Sequence, residues 1–369
     1  MRERLRRLNE RLLPGHLAFG PARIVLGVNN FCNLRCLMCD VGTGNAETNF
    51  GANLMGAKAK TMPWELFQEV VDQTASRWPG TDLAFVYTEP LAWSLLGKAV
   101  AYAHKKELPA SVITNGLLLP RRAPELANGM CRTLTVSLDG PQAVHDRIRR
   151  RDGSYARAVE GIKALAALPD APAIAVFCAI TEWNAGSLVS FLREMSALPL
   201  ERAGLMHNNF VTREQAQHHN TLYGDSWHAT PSNVFETGPT RIDLELLSTE
   251  LREIESTRYP FPVVINPHRT SLDDLTTYYH RPETLIGRRC NDVTRSLMID
   301  SDGEAIPVHG RCFRFPIGNL ANLSLDELWH HEQQSKLRRA LQKAGGLLPA
   351  CSRCCSGFGS ADRRPGMTS

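Results

Sequence analysis

Cys32, Cys36 and Cys39 fall within eight consecutive positions, in CNLRCLMC. Thiolates are soft metal ligands, and eight residues reach about 25 Å at most when extended, so one loop can wrap all three around a single centre. Tetrahedral zinc and cubane iron-sulfur clusters ordinarily take four protein ligands. Three therefore leaves alternatives: a distant cysteine completes the set, or one metal keeps an open position for a small molecule. Of the ten cysteines in the chain, Cys131 and Cys178 stand alone, while Cys290, Cys312, Cys351, Cys354 and Cys355 crowd the last eighty residues. Thiols used this way fit metal binding or catalysis in a reducing compartment better than disulfides.

The elements that must position these residues alternate along the chain. ARIVLGVNN (22–30) reads as a buried, β-branched strand that runs directly into the cysteine loop. Strand patterns recur in DLAFVYTEP (82–90), ASVITNG, TLTVSLDG, AIAVFCAIT and ERAGLMHNN, with amphipathic helices between them, such as PWELFQEVVDQTASRW and SYARAVEGIKALAAL. Six apolar strands alternating with helices predict an α/β fold with a parallel sheet, in which ligands bind at the carboxyl ends of the strands. The polar residues obey that geometry: Thr88 and Glu89, Thr114 and Asn115, Ser137 and Asp139, Thr181 and Asn184, and His207 to Asn209 all lie at strand ends.

The expected organisation is an N-terminal helix (1–20), a parallel α/β unit in barrel or doubly wound form (21–210), a connecting region covering its mouth (211–285) and a small C-terminal domain (286–369); a partial (β/α)6 barrel is the form that the family resemblance of the cysteine motif implies. In that last domain LMIDSDGEAIP reads as a hairpin built on Asp302-Gly303, and SLDELWHHEQQSKLRRALQKA as one helix opened by a Ser324–Glu327 capping box.

The three-cysteine motif at the end of the first strand resembles that of the radical S-adenosylmethionine (SAM) enzymes. In that family three cysteines hold a [4Fe-4S] cluster and SAM chelates the fourth iron; the reduced cluster cleaves SAM to methionine and a 5′-deoxyadenosyl radical, which abstracts hydrogen from substrate. YTEP (87–90) resembles the family's second-strand motif, with Tyr87 and Thr88 in place of its usual glycines. VITNG, VSLDGP and HDRIRRRDGSY resemble later segments. The resemblance implies SAM contacts from Met38, Glu89, Asn115, Ser137, Asp139, Arg149 and Asn184, with Cys32, Cys36 and Cys39 as metal ligands.

RRCNDV, SDGEAIPVHGRC, SLDELW and ACSRCC resemble the auxiliary-cluster extension called SPASM or its shorter form, Twitch. Five cysteines after the barrel fit one auxiliary [4Fe-4S] cluster, on Cys290, Cys312, Cys351 and Cys354, with Cys355 spare or alternative to Cys354. Four thiolates on zinc are the other reading of the same set.

The fate of the substrate radical divides into oxidation, with the auxiliary cluster accepting an electron, and epimerisation, with a thiol such as Cys178 or Cys355 returning hydrogen. The segment before the first strand is shorter than the winged-helix leader-binding domain of many peptide-modifying relatives, which favours a small polar substrate, such as a sugar or aminocyclitol of a natural product. His207, Asn208, Asn209, His218, His219 and His228 offer it hydrogen bonds. A ribosomal-peptide maturase and a non-enzymatic zinc or iron-sulfur module are the alternatives. An electron donor such as flavodoxin or ferredoxin is the implied partner. The net charge of +4, from 42 basic and 38 acidic residues, is too mixed to point to nucleic acid or membrane, and the N-terminal apolar run is too broken for a signal peptide, so the expected location is cytoplasmic.

Overall fold

The structure, a computed structural model, describes residues 2–306 and 310–358. Pro307, at the expected end of the hairpin, and the segment 359–369 of the expected C-terminal domain lie outside these.

The six expected strands form: β1 (Arg23–Leu26), β2 (Asp82–Phe85), β3 (Ala110–Thr114), β4 (Thr133–Ser137), β5 (Ala173–Ile180) and β6 (Arg202–His207). Each pairs in parallel with the next. β7 (Val263–Asn266), β8 (Ser296–Ile299) and β9 (Ala305–Ile306) complete a sheet of order β7-β6-β5-β4-β3-β2-β1-β8-β9. This mostly parallel α/β sheet is of the partial-barrel kind.

Two features of the sheet depart from expectation. β7, parallel to β6, lies in the segment read as a connecting region; its apolar run of three residues, Val263 to Ile265, is too short to stand out from the polar, proline-containing sequence around it. The expected hairpin forms as β8 and β9, but β8 also pairs in parallel with β1, in register Arg23↔Ser296 to Leu26↔Ile299. The sheet is therefore continuous across both expected boundaries, because a strand pairing between opposite ends of the chain leaves no local trace in sequence.

The helices Trp64–Arg77, Leu96–Lys105, Ser154–Ala166, Leu188–Met195 and Leu244–Ser256 bury one face each against the sheet. Phe67, Val70 and Val71 from the first of these join Ile24, Leu26 and Phe85 in the main core. A second apolar cluster, including Trp227, Phe313, Leu337, Leu341 and Leu348, underlies the C-terminal cysteines.

The expected single C-terminal helix is two, Leu325–His330 and Glu332–Lys343. The capping box is present: Ser324 Oγ accepts from the Glu327 N–H at 3.3 Å and Glu327 Oε2 from the Ser324 N–H at 2.7 Å. His331 breaks the helix with ψ 142°, and its Nδ1 caps the second segment by accepting from the Gln333 N–H at 3.3 Å. The bend lets Trp329 Nε1 and His330 Nε2 donate to the carbonyls of Phe19 and Leu17 at 3.0 Å each, which locks the two ends of the chain together. Among the described residues no helix is long and apolar enough to cross a membrane.

Candidate metal centres and substrate cavity

Past β1 the chain enters the cysteine loop with Leu34, Cys36 and Met38 buried against Ile148. The Leu37 N–H donates to the Ile148 carbonyl at 2.9 Å, which ties the loop to the helix Gln142–Arg149. The short helix Asp40–Thr43 then folds back closely. A Cβ at Gly42 would stand 2.6 Å from the Cys36 nitrogen, so only glycine permits the approach.

The loop presents Cys32, Cys36 and Cys39 to a cavity of about 450 Å³, within the range of small-molecule sites. Burial pushes the Cys32 thiol up to about 12 and Cys36 up to about 11, while the Arg149 guanidinium, with Nη1 3.6 Å from Cys36 Sγ, pulls Cys36 the other way. Burial disfavours the thiolates of Cys32 and Cys36, a cost that the positive charge of a bound metal offsets. The donor set thus fits the iron-sulfur cluster.

The residues assigned to SAM divide into two groups. Met38, Asn115, Ser137 and Arg149 line the cavity with the three cysteines. Glu89, Asp139 and Asn184, each fully buried, do not line it and orient those that do. Glu89 accepts from Thr114 Oγ1 at 2.6 Å and from the N–H groups of Leu91 and Asn115 at 2.9 and 2.8 Å, so its carboxylate joins the ends of β2 and β3. Burial raises its pKa against those three bonds. Asp139 accepts from Arg149 Nε at 2.6 Å and from the Ala179 N–H at 3.1 Å. Asn184 Nδ2 donates to the carbonyls of Asp139 and Ala179 at 2.9 and 2.7 Å. Asn115 Nδ2 reaches Asn33 Oδ1 at 2.7 Å and Cys32 Sγ at 3.8 Å, and so braces the cysteine loop itself.

The C-terminal cysteines divide as well. Cys290, Cys312, Cys351 and Cys354 line a second, smaller cavity of about 60 Å³, whereas Cys355 lines the first, beside Arg311 and Tyr87. Burial raises all four thiols of the smaller cavity, Cys290 to about 12 and Cys351 to about 11. For Cys354 the hydrogen bond to Cys355 acts ahead of burial. Four buried soft donors around one small space suit an iron-sulfur cluster. Among the described residues no three Cys, His, Asp or Glu side chains converge on a single ion; a cubane, in which each thiolate takes its own iron, asks for no such convergence. Arg353, between two of these cysteines, is fully buried and donates to the carbonyls of Thr277, Tyr278, Arg281 and Thr284 at 2.5 to 2.8 Å, fastening the cysteine segment to the end of the helix Leu272–His280 and the residues just after it.

Several expected groups lie elsewhere. Cys178 is fully buried in the main core, does not line the cavity and accepts from Asn184 Nδ2 at 3.6 Å. Ala179, next in β5, lines the cavity instead, because neighbouring strand residues face opposite sides; this corrects Cys178 as a hydrogen donor. His207 is buried between the Tyr279 hydroxyl (2.8 Å) and the Arg269 carbonyl (3.0 Å). His219 donates from Nε2 to the Trp227 carbonyl at 2.7 Å and stacks on Phe313. His218 and His228 are exposed. Asn208 and Asn209 do line the cavity, joined by Asn233 and Arg311, which carry no sequence motif.

The radical SAM superfamily model matches residues 26–176, and that of an iron-sulfur cluster-binding domain, SPASM, matches residues 290–355. The Fe-coproporphyrin III synthase of Methanosarcina barkeri is 28% identical over 155 residues, 41% of this chain and 36% of that protein, so the match spans about a third of the relative's length. Streptococcus suis SuiB bound to its precursor peptide SuiA superposes with TM-score 0.60 at 13% identity, over 96% of this chain and 74% of that one. The protein anSMEcpe with bound AdoMet does so with TM-score 0.57 at 14% identity, over 85% and 82%. At these identities the two structures establish likeness of fold.

Proposed function

The chain belongs to the radical SAM superfamily and carries a SPASM-type iron-sulfur domain, and from that premise we propose that it abstracts hydrogen from a small polar substrate held between its two cysteine sets. Its cofactors are a SAM-binding [4Fe-4S] cluster, SAM and an auxiliary iron-sulfur cluster. When bound, the first cluster and SAM supply a 5′-deoxyadenosyl radical.

The observation that carries the reading is one cavity lined by the thiols of Cys32, Cys36 and Cys39 and also by Cys355 and Arg311 from the C-terminal segment. Arg149, held by Asp139 at 2.6 Å, places a fixed positive charge beside Cys36, suited to a thiolate ligand and to an anionic group of SAM. Met38 offers a polarizable apolar surface, and Asn115 and Ser137 offer hydrogen bonds. Cys290, Cys312, Cys351 and Cys354 hold the auxiliary cluster next door.

Cys355 favours return of hydrogen to the substrate radical, and hence epimerisation, over net oxidation. Hydrogen-atom transfer breaks the S–H bond, forms a C–H bond and leaves a thiyl radical. One electron and one proton restore the thiol, the electron coming from a carrier of the ferredoxin or flavodoxin class.

The test is anaerobic reconstitution followed by assay of 5′-deoxyadenosine with SAM and dithionite. The reading requires its formation, and requires Cys36→Ala to abolish it while the C-terminal iron is kept. A fully reconstituted protein that leaves SAM intact would be a non-enzymatic module. A peptide is the second reading of the substrate, favoured by the bound peptide in SuiB, a protein of the same fold; it predicts turnover only with a short precursor peptide. Solvent deuterium in the product reports epimerisation, and a product two hydrogens lighter reports oxidation.

A further inference from the structure

We infer that the helix Arg2–Leu12 and the arginine cleft beside it form the docking face for an acidic one-electron carrier protein, which delivers its electron at Cys290. This rests on the function proposed above, which calls for such a carrier, and names where it binds.

The helix sits on the body the wrong way round for an amphipathic segment. Its inward side chains are charged: Arg6 and Glu10, one turn apart, are 8% and 7% exposed. Arg6 Nη1 donates to the Thr294 carbonyl at 3.5 Å, and Glu10 lies 3.4 Å from Arg289 and 4.0 Å from Arg295. Leu5, Leu8 and Leu12 share the opposite face and stand outward at 48%, 51% and 64% exposure, and Leu13 follows at 57%. An amphipathic helix that serves only packing turns its leucines inward; this one turns them out.

The charge beside the leucines has one sign. Arg4, Arg7 and Arg11 are exposed, and Arg7 and Arg11 continue into an open cleft of about 530 Å³ lined by five arginines, the others being Arg288, Arg289 and Arg338. The one acid in that lining is Glu10, which is buried. If the leucines of two copies met, these arginines would face each other, and like charges disfavour that pairing. An apolar patch bordered by arginines fits a partner whose own apolar contact is ringed by carboxylates, and its field steers that partner from a distance.

The cleft also reaches a cluster ligand. Cys290 lines both the cleft and the smaller cavity of the four cysteines, and its N–H donates to the carbonyl of Gly346, another cleft residue, at 3.0 Å. The smaller cavity in turn shares Asn209 and Arg311 with the large one. Cleft, auxiliary site and substrate cavity are thus joined in series, with Cys290 at the first boundary and the adjacent Cys354 and Cys355 across the second. From a flavodoxin, one electron passes to the auxiliary cluster as the anionic flavin hydroquinone becomes the neutral semiquinone; no bond forms or breaks. An anionic bilayer would also satisfy leucines and arginines, but it gives no account of a cluster ligand in the cleft.

The experiment mixes reconstituted holoenzyme with reduced flavodoxin or reduced ferredoxin, both acidic, and follows bleaching of the iron-sulfur absorbance by stopped flow, a readout that needs no SAM. The second-order rate is expected to fall about tenfold in Arg7→Glu/Arg11→Glu and in Leu8→Ser/Leu12→Ser, while reduction by dithionite, which needs no docking, is unchanged. The loss in the arginine variant is expected to shrink at about 0.5 M salt, and the loss in the leucine variant to persist. The inference is overturned by carrier rates that neither variant changes, by an equal fall in dithionite reduction, or by reduction with neither carrier. Binding to phosphatidylglycerol vesicles, or a dimer, that the same variants abolish at unchanged carrier rate overturns it as well. Formation of 5′-deoxyadenosine with dithionite tests the function separately: its absence beside intact carrier docking sinks that function alone, and its presence beside unchanged carrier rates sinks the docking face alone.

Discussion

Asp40 and Ser232 lie 192 residues apart and meet side chain to side chain, Ser232 Oγ donating to Asp40 Oδ2 at 2.6 Å. Asp40, which directly follows the third cysteine of the loop, is 2% exposed, and its other oxygen accepts from the Asn233 N–H at 3.1 Å. The cysteine loop thereby holds the segment that carries Asn233 to the cavity. Removing the carboxylate in Asp40→Ala strands a hydroxyl and an N–H in a buried place. Hydrogen bonds to charged groups contribute about 1.5–3 kcal/mol each, so denaturant unfolding is expected to show a loss of about 3 kcal/mol. Asp40→Asn, which keeps an acceptor for Ser232, is expected to lose less than half of that.

Arg149 and Asp139 form a buried pair, their side chains 10% and 1% exposed. Breaking such a pair by removing one member costs about 3–5 kcal/mol, because the other charge stays buried. Arg149→Met is expected in that range by urea titration, and the double variant Arg149→Met/Asp139→Asn is expected to recover part of the loss. A single variant that costs under about 1 kcal/mol would contradict the pair's burial.

The division of the last two cysteines predicts different iron contents. Cys354→Ser is expected to lose the auxiliary cluster, lowering iron by about four atoms per chain for a cubane, while Cys355→Ser keeps the full complement and changes the product of turnover. Iron analysis and electron paramagnetic resonance of the reduced proteins separate the two. Equal iron loss in both variants would make Cys355 a ligand.

His145 and His207 are buried, and burial lowers each pKa from 6.5 to about 4. In His207 the Arg269 carbonyl accepts from Nε2, so Nδ1 accepts from the Tyr279 hydroxyl and the neutral ring is the one that fits. A folded-state pKa depressed below the unfolded value gives stability that is complete above about pH 6.5 and is lost as pH falls toward 4. Between pH 7 and 5 each ring is expected to remove about 2 kcal/mol, and His207→Gln is expected to halve the combined slope in denaturation curves.

Much of the sheet is legible in sequence because the apolar runs of β1 to β6 alternate with helical patterns, which the short run of β7 does not. The site is legible for a related reason: in a parallel sheet every carboxyl end opens on the same side, so the cysteine loop, Asn115, Ser137 and Asn208 share a cavity as their strand positions require. Alternation along AIAVFCAI already groups Cys178 with Ile174, Val176 and Ile180, the residues it joins in the core. What has no local signal is contact between remote segments. Ser232 meeting Asp40, and Arg311 entering the cavity from past the hairpin, follow from tertiary packing alone. Glu89 illustrates a subtler limit, since the motif names the residue while the structure shows its carboxylate occupied by Thr114, Leu91 and Asn115.

The pairing of β1 with β8 also sets an order of events in the cell. The strand that leads into the first three cysteines emerges from the ribosome well ahead of its neighbour on one side, which begins at Ser296. At ordinary elongation rates that interval is on the order of tens of seconds, during which one edge of β1 lacks its native partner and the three thiols lack the C-terminal wall of their cavity. The cysteine loop is therefore complete in sequence before the sheet beside it can close, and a ribosome stalled ahead of residue 296 would display that loop on an unfinished sheet.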